Sequence, residues 1–260
     1  MIPHASGRVP DWAERRARDG AMLVALDFDG TLSPIVPRPA DAAMLDEART
    51  ALESLARRPD TRVAIVSGRG LADVRSRVAL DALYYAGNHG LEIEGPGVHR
   101  VHAEAQRARP SLDACMEQLQ SLTLAAEGVL LEDKGLTLSV HYRLVHEPAA
   151  AAALVQEVRR RCAGHDDIRL TEGKKVVEIR PRVEWDKGRA TRFLIEQLLP
   201  AGPVIFVGDD STDEDAFRAL DGRGEGVIVG DPTPVDTAAV SFVRSPHEVA
   251  ELLAALARTS

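Results

Sequence analysis

Three short apolar runs, each followed by a small or acidic residue, constrain the fold of this 260-residue chain most strongly. They cover residues 22–26, 63–66 and 204–207, and Asp27, Ser67 and Gly208 follow them. Strands that are covered on both faces read as continuous apolar runs, so these segments are predicted to be buried parallel strands. One-sided helical patterns lie between and after them, at residues 45–56 and 190–198. This alternation predicts an α/β fold around a parallel central sheet.

The middle of the chain changes its pattern after about residue 104. Helical patterns at residues 112–122 and 151–162 are each followed by a predicted strand pair. Residues 136–143 alternate apolar and polar side chains, as expected of a strand with one covered face. A half-exposed antiparallel sheet with two helices accounts for this region. We therefore predict a core of residues 1–104 and 185–260 and an inserted α+β domain of residues 105–184.

Composition and charge exclude several classes of protein. A content of 45% hydrophobic and 28% charged residues is typical of a globular chain and not of a disordered one. The formal net charge of −8 argues against a dedicated nucleic-acid binder. No apolar stretch approaches the ~20 residues that cross a bilayer, and the N-terminal segment lacks a signal-peptide pattern. Cys115 and Cys162 fit apolar helix faces and are predicted to be buried thiols, which suits the cytoplasm.

Two carboxylates, Asp27 and Asp29, follow the first predicted strand. Both can point into the crevice at the carboxyl edge of the sheet, where open α/β sheets bind ligands. Asp27 can accept a phosphoryl group if a metal neutralises the approaching charge. Asp29 can protonate the leaving oxygen and later deprotonate water. Taken alone, this segment is explained equally well as a strand-to-loop turn.

A second acidic segment, residues 208–215, follows the third apolar run and favours the catalytic interpretation. Five acidic groups within seven positions repel one another and need a hard cation or extensive hydrogen bonding. Asp209 and Asp27 are predicted to share one Mg²⁺, with Asp29 contributing its backbone carbonyl. Capping of a helix also explains part of this segment, because negative charge suits a first helical turn. Three residues are assigned either to the metal or to its surroundings: Thr31, Asp210 and Asp213.

Two further segments are predicted to receive phosphate. Ser67, Gly68 and Arg69 follow the second apolar run, and a hydroxyl with backbone N–H groups at a strand-to-helix junction can cradle an anion. Lys187 precedes the helical pattern at residues 190–198, where its charge can balance phosphate and transition-state charge. Each signal is weak alone, since Ser-Gly is a common turn and a lysine at a helix start is usually solvated.

The order of these four elements resembles the haloacid dehalogenase superfamily of aspartate-nucleophile phosphatases. Within it, residues 208–217, Gly-Asp-Asp-Ser-Thr-Asp-Glu-Asp-Ala-Phe, resemble the signature of the trehalose-6-phosphate phosphatase family. Further similar segments are residues 86–90, 131–136, 141–143 and 173–181. The resemblance runs from about residue 22 to residue 249. Phe28 stands where many relatives have Tyr, a change that touches neither carboxylate.

This resemblance implies a Rossmann-like core and a mobile αββαββ cap. It also implies Mg²⁺ as cofactor and trehalose 6-phosphate as substrate, in the last step of trehalose synthesis. The sugar-binding residues that it implies are Asn88, Glu132, Lys134, His141, Arg143, Lys174 and Glu178. Lys174 and Glu178 share a face if their strand is regular, as do His141 and Arg143. Cross-strand ion pairing on a solvated sheet is the alternative explanation of these charges.

Several alternatives stay open at this point. Relatives with similar caps act on glucosylglycerate, mannosylglycerate or sucrose phosphates, or are phosphohexomutases. A receiver-like signalling module also uses a phosphorylated Asp, an acidic metal site, a hydroxyl and a Lys, but it would lack the inserted domain. Because no synthase domain precedes the phosphatase segment, any link to a trehalose-phosphate synthase is expected between separate chains. A monomer or small homo-oligomer without nucleic-acid or membrane partners is expected.

Overall fold

A computed structural model describes residues 2–198, 202–231 and 236–259 of the chain. The chain divides into two compact units. The first consists of Met1–Val36, Ala40–Arg100 and Trp185–Ser260, and the second of Pro37–Pro39 and Val101–Glu184. The helices are α1 (Val9–Asp19), α2 (Asp46–Ala56), α3 (Leu71–Val78), α4 (Ala103–Arg107), α5 (Arg109–Ala125), α6 (Pro148–Arg161), α7 (Lys187–Leu198), α8 (Asp213–Ala219) and α9 (Pro246–Arg258). The strands are β1 (Met22–Leu26), β2 (Thr61–Val66), β3 (Tyr84–Gly87), β4 (Glu92–Gly95), β5 (Val98–Val101), β6 (Leu130–Asp133), β7 (Leu138–His141), β8 (Ile168–Gly173), β9 (Val176–Pro181), β10 (Val204–Gly208), β11 (Gly224–Val229) and β12 (Ser241–Val243).

The first unit is built on an eight-stranded sheet in the order β12-β11-β10-β1-β2-β3-β4-β5. Its strands from β12 to β3 pair in parallel, and β4 pairs antiparallel to β3. Leu26, at the end of β1, lies opposite Val207 of β10 and Ile65 of β2. The carboxyl ends of these three central strands are therefore adjacent. The prediction of an α/β fold with a parallel central sheet is confirmed.

Both faces of this sheet are covered by apolar side chains. Met22, Val24 and Leu26 of β1 face a core that includes residues of α1, α2, α3 and α9. Leu23 and Ala25, which alternate with them, face a second core that includes residues of α7 and α8. All five side chains are buried, which explains why β1 reads as a continuous apolar run.

The second unit contains an antiparallel sheet in the order β6-β7-β9-β8, together with α5 and α6. One face of the sheet is apolar, because Leu138, Val140, Val177 and Ile179 join a buried cluster with side chains of the two helices. That cluster also contains Cys115 and Cys162, which are free and buried, as predicted. Among the described residues, no helix is both long enough and apolar enough to cross a membrane.

The segment around Lys174 differs from the regular strand on which its predicted pairing depended. Strand β8 ends at Gly173 and β9 begins at Val176, so Lys174 and Lys175 form the turn between them. Lys175 has a φ of 64°, in the left-handed region. Lys174 therefore does not share a strand face with Glu178. The shared face was expected only for a regular strand, and apolar periodicity does not detect a two-residue turn made of lysines.

Glu225 of β11 connects the N-terminal helix α1 to the sheet. Its carboxylate accepts hydrogen bonds from Arg8 Nε at 3.0 Å, Arg8 Nη2 at 2.5 Å and Trp12 Nε1 at 3.0 Å. Only 12% of the Glu225 side chain is exposed. Burial works to raise the pKa of Glu225, but the hydrogen bonds from Arg8 and Trp12 outweigh it and lower the pKa below its ordinary value of 4.5.

We expect Glu225→Gln to lower the free energy of unfolding by about 1–3 kcal/mol at pH 7, because a charged hydrogen-bonded partner is lost. Since the folded pKa of Glu225 is depressed, its contribution is complete above the ordinary value of 4.5 and is lost as pH falls through the lower folded pKa. Urea unfolding of both proteins between pH 7 and pH 3 measures the difference. It should shrink below about pH 4.5, whereas Glu251→Gln, an exposed glutamate of α9, should have little effect at any pH. A difference that stays constant down to pH 3 would contradict the assigned role of this carboxylate.

Candidate active site

Asp27 is the first residue after β1, and the sheet places its side chain at the carboxyl edge. Its backbone N–H donates to the carbonyl of Val207 at 2.9 Å, which continues the pairing of β1 with β10. The Asp27 side chain is buried, and its Oδ1 lies 2.8 Å from Lys187 Nζ. The same Nζ lies 2.7 Å from Oδ1 of Asp213. A single lysine at the start of α7 thus joins carboxylates that follow two different strands.

The charges of this cluster oppose one another strongly. Burial and the neighbouring carboxylates of Asp213, Asp209 and Asp29 raise the pKa of Asp27 well above its ordinary value, and Lys187 counteracts them in part. Burial alone would lower the pKa of Lys187. The carboxylates of Asp213 and Asp27 have the larger effect and raise this pKa above its ordinary value. Lys187 is therefore a permanent cation at neutral pH. A bound divalent cation would add positive charge and favour the ionised form of Asp27.

Gly30 allows Asp209 to approach the loop after β1. It has a φ of +81°, and a Cβ at this position would lie 2.3 Å from the Asp209 carboxylate. Only glycine permits both this conformation and this approach. The hydroxyl of Thr31, which follows Gly30, is buried and has no hydrogen-bond partner among the described residues. The loop after β1 thus has a polar group available to a ligand.

The donor atoms here fit a hard divalent cation. One carboxylate oxygen from each of Asp27, Asp209 and Asp213 lies within 4.8 Å of the other two. Oxygen donors of this kind suit Mg²⁺. The two oxygens of Asp213 already have partners, since Oδ1 contacts Lys187 and Oδ2 accepts the N–H of Asp210 at 3.0 Å. The Asp210 carboxylate in turn accepts the N–H of Ser211 at 2.8 Å, a local turn contact.

Arg69 holds Asp29, the second carboxylate of the loop after β1. Its Nε and Nη2 donate to the two Asp29 oxygens at 2.6 and 2.7 Å, and its Nη1 donates to Asp73 at 2.7 Å. Burial works to lower the pKa of Arg69, but Asp29 and Asp73 raise it above its ordinary value. Asp73 was not singled out from the sequence. Its position four residues after Arg69, one helical turn along, was the available signal.

The loop after β2 is supported by the loop after β3. Asn88 N–H donates to the Arg69 carbonyl at 2.6 Å, and His89 N–H donates to the Ser67 carbonyl at 2.9 Å. Ser67 is buried, and its Oγ accepts the N–H of Arg69 at 3.2 Å. Asn88 and His89 both have positive φ values, 50° and 56°. A Cβ at Gly68 would lie 2.8 Å from the His89 ring, so this position requires a residue without a side chain.

The predicted sugar-binding residues fall into both units. Asn88 lies in the first unit, fully buried, and its Nδ2 donates to Glu92 at 2.6 Å. The other six lie in the second unit: Glu132, Lys134, His141, Arg143, Lys174 and Glu178. Four of them form cross-strand pairs on the polar face, with His141 Nε2 at 2.7 Å from Glu132 and Lys134 Nζ at 3.3 Å from Glu178. Arg143 donates to the carbonyl of Lys174 at 3.3 Å.

A parallel sheet with a buried aspartate at its carboxyl edge and an inserted α+β unit defines a haloacid dehalogenase-like fold. The chain superposes on a haloacid dehalogenase-like hydrolase from Bacteroides thetaiotaomicron with a TM-score of 0.62, covering 90% of this chain and 98% of the other. The two sequences are 18% identical, so this similarity concerns the fold alone.

The chain belongs to the trehalose-phosphatase family, whose profile matches residues 25–246. It is similar to the probable trehalose-phosphate phosphatase 3 of Oryza sativa subsp. japonica, with 38% identity over 289 aligned positions. That alignment covers 98% of this chain and 78% of the rice protein. This chain is also similar in structure to the C-terminal domain of trehalose-6-phosphate phosphatase from C. albicans. The TM-score is 0.78 at 25% identity, with coverage of 100% of this chain and 99% of the other.

Proposed function

We propose that this protein hydrolyses trehalose 6-phosphate to trehalose and inorganic phosphate. The observation that carries the proposal is the buried contact between Lys187 and Asp27, beside Asp209, at the carboxyl edge of the central sheet. This arrangement supports a carboxylate nucleophile whose charge, and that of the arriving phosphate, are balanced by neighbouring groups. Membership of the trehalose-phosphatase family supports the choice of substrate.

The proposed reaction has two steps on the same aspartate. A carboxylate oxygen of Asp27 attacks phosphorus, and the bond from phosphorus to the sugar oxygen breaks as Asp29 donates its proton to that oxygen. Asp29 then removes a proton from water, which attacks phosphorus and releases phosphate with the Asp27 carboxylate restored. Lys187 and the Ser67–Gly68 loop hold phosphate oxygens. We assign to Arg69 a role in phosphate binding and in holding Asp29, since both Asp29 oxygens contact its guanidinium.

Mg²⁺ is the proposed cofactor, and it would supply charge stabilisation to the transferring phosphoryl group. Asp27, Asp209 and the backbone carbonyl of Asp29 would hold it. Asp213 fits better as the partner that fixes Lys187, because its oxygens are occupied by Lys187 and by the N–H of Asp210. The Thr31 hydroxyl is available to the metal or its waters, whereas Asp210 would support its own loop through the N–H of Ser211.

Sugar recognition is assigned to the polar face of the second unit. Its carboxylates and cations can bind several hydroxyls. A site built for hydroxyls rejects analogues that lack them by large factors. The recognition residues that we propose are Asn88, Glu132, Lys134, His141, Arg143, Lys174 and Glu178. We expect the enzyme to work in the cytoplasm, as a monomer or small homo-oligomer, on the product of a trehalose-phosphate synthase.

A sugar-phosphate panel tests this function. Phosphate release is measured with and without Mg²⁺ from trehalose 6-phosphate, sucrose 6-phosphate, and glucosylglycerate and mannosylglycerate phosphates. The proposal expects the highest kcat/KM with trehalose 6-phosphate and no sugar bisphosphate, which a phosphohexomutase would form. A higher kcat/KM on another member of the panel would overturn the assignment of substrate. A receiver-like module is disfavoured by the inserted second unit.

Asp29→Asn tests the acid and base role. Asparagine keeps the shape of the side chain but can neither donate the catalytic proton nor accept one from water. We expect kcat for trehalose 6-phosphate to fall by about 10²–10⁴-fold. A substrate with a good leaving group, p-nitrophenyl phosphate, should lose less in the first step than the sugar does. Burst kinetics separate the two steps, and equal rates for Asp29→Asn and wild type on both substrates would exclude Asp29 from this role.

A further inference from the structure

The strand register of the second unit aligns four polar residues in one row across the sheet. Glu132 lies opposite Ser139, Ser139 opposite Glu178, and Glu178 opposite Thr171. Residues opposite one another on neighbouring strands point to the same side of a sheet. The row therefore alternates carboxylate, hydroxyl, carboxylate and hydroxyl, and it spans three strand spacings, or about 14 Å. The other face of the same strands is the apolar core.

The two hydroxyls of this row have no partner among the described residues. Ser139 is fully buried, yet its Oγ makes no hydrogen bond with the described residues. Thr171 is half-buried as a residue, but its Oγ1 atom is buried and likewise lacks a partner among them. Arg169 Nε, two residues before Thr171 on β8 and on the same face, is also buried and unpartnered. Buried polar groups in folded proteins are almost always paired, because an unpaired one keeps the cost of leaving water without compensation. Three such groups on one face indicate a polar ligand.

The charged members of the face are already engaged. Glu178 is paired with Lys134, and Glu132 is paired with His141. A carboxylate can only accept hydrogen bonds, whereas a serine or threonine hydroxyl can both donate and accept. The chemistry that suits an alternating row of this kind is a neutral polyol, whose hydroxyls also do both. The two carboxylates that flank Ser139 are already paired with Lys134 and His141, and a neutral ligand leaves these pairs intact.

From this geometry we infer that Ser139 and Thr171 bind hydroxyls of the sugar portion of the substrate and contribute to sugar specificity. The inference rests on the proposed function, because it places the sugar on this face. Ser139 lies between the two carboxylates and Thr171 at the end of the row. Both residues are separate from the charged residues to which sugar recognition was assigned from the sequence.

The test compares Ser139→Ala and Thr171→Val with wild type on trehalose 6-phosphate and on p-nitrophenyl phosphate, which carries no sugar. Each variant should lower kcat/KM for the sugar phosphate by about 3- to 10-fold, the contribution of one neutral hydrogen bond. The rate on p-nitrophenyl phosphate should not change. The melting temperature should be unchanged or raised, since an unpaired buried hydroxyl is removed. Loss of substrate binding together with equal or greater stability is a result that a structural role cannot give.

Two further variants provide controls. Thr171→Ser keeps the hydroxyl and should retain most of the rate on trehalose 6-phosphate. Thr123→Val, in α5, removes a hydroxyl that donates to the carbonyl of Gln120 at 2.8 Å and should leave both rates unchanged. The inference is overturned if Ser139→Ala and Thr171→Val keep the wild-type kcat/KM for the sugar phosphate. Equal losses on both substrates, with a lower melting temperature, would also overturn it.

The wild-type measurement separates this inference from the proposed function. Activity on another sugar phosphate but not on trehalose 6-phosphate would overturn the proposed function alone, and the variants would then be compared on that other substrate. Wild-type protein that turns over p-nitrophenyl phosphate but no sugar phosphate would overturn both.

Discussion

Asp27→Asn is expected to abolish phosphate release from trehalose 6-phosphate, with a loss on the order of 10⁴-fold or more in kcat. An amide oxygen is a far weaker nucleophile than a carboxylate, and neither Lys187 nor a bound metal would restore its reactivity. The change is nearly isosteric, so Lys187 keeps Asp213 as its partner at 2.7 Å. Phosphate release under saturating Mg²⁺ and substrate measures the effect.

A matched control for this variant is Asp215→Asn. Asp215 belongs to the same acidic segment, but 47% of its side chain is exposed, and its carboxylate lies 3.8 Å from Arg218. It should keep activity within about two-fold of wild type, because surface substitutions away from the site have small effects. Wild-type turnover by a folded Asp27→Asn protein would show that another group attacks phosphorus.

Removal of divalent cations is expected to lower phosphate release by about 10³-fold or more, because a bound metal supplies several kcal/mol of transition-state stabilisation. Added Mg²⁺ should restore the rate, whereas Ca²⁺ should not, since its larger radius and flexible coordination suit the site less well. Asp209→Asn should raise the Mg²⁺ concentration needed for half-maximal rate by at least about 10-fold, as one charged donor is lost.

The control for the metal prediction is Asp81→Asn, whose side chain is 97% exposed in the wild type. It should leave the Mg²⁺ titration unchanged. Full activity of the wild-type enzyme after exhaustive chelation would contradict the assignment of a metal to Asp27 and Asp209. An unchanged Mg²⁺ requirement in Asp209→Asn would contradict the place of Asp209 in that site.

The arrangement of Asp27, Ser67 and Asp209 at one edge was predictable from the sequence. Asp27 and Ser67 directly follow apolar runs, and Asp209 follows the glycine that ends β10. Parallel strands present their carboxyl ends at a common edge of the sheet. The strands β1, β2 and β10 are neighbours in the sheet, which brings these three positions together. Local pattern and the geometry of parallel sheets were sufficient for this part of the site.

The partners of the charged groups were not predictable in the same way. Lys187 contacts Asp213 because α7 and α8 pack against the same face of the sheet, a tertiary arrangement that no local spacing encodes. Arg69 binds Asp29 across 40 residues of sequence, although its contact with Asp73 has ordinary helical spacing. Residues chosen for phosphate binding thus proved to have carboxylate partners that only the folded chain defines.

The second unit illustrates the same limit. The alternation in residues 136–143 predicted a strand with one apolar face, and β7 has that face. Lys174 was expected to share a strand face with Glu178 if its strand was regular, but it lies in the turn before β9. The row that holds Ser139 and Thr171 depends on the strand order β6-β7-β9-β8, and apolar periodicity does not say which strands pair with which. Their lack of partners among the described residues is visible only in the folded chain.

Chemical trapping of the phosphorylated residue tests the central claim most directly. Wild type and Asp29→Asn are mixed with trehalose 6-phosphate and Mg²⁺, quenched in acid during turnover, and reduced with borohydride, which converts an aspartyl-phosphate to homoserine. Peptide mass spectrometry should find homoserine at position 27 only when substrate is present. With p-nitrophenyl phosphate, whose leaving group needs no acid, Asp29→Asn should contain more of it than wild type, because its intermediate is hydrolysed slowly. Turnover of trehalose 6-phosphate without any modification of Asp27, or with modification of another residue instead, would contradict the mechanism.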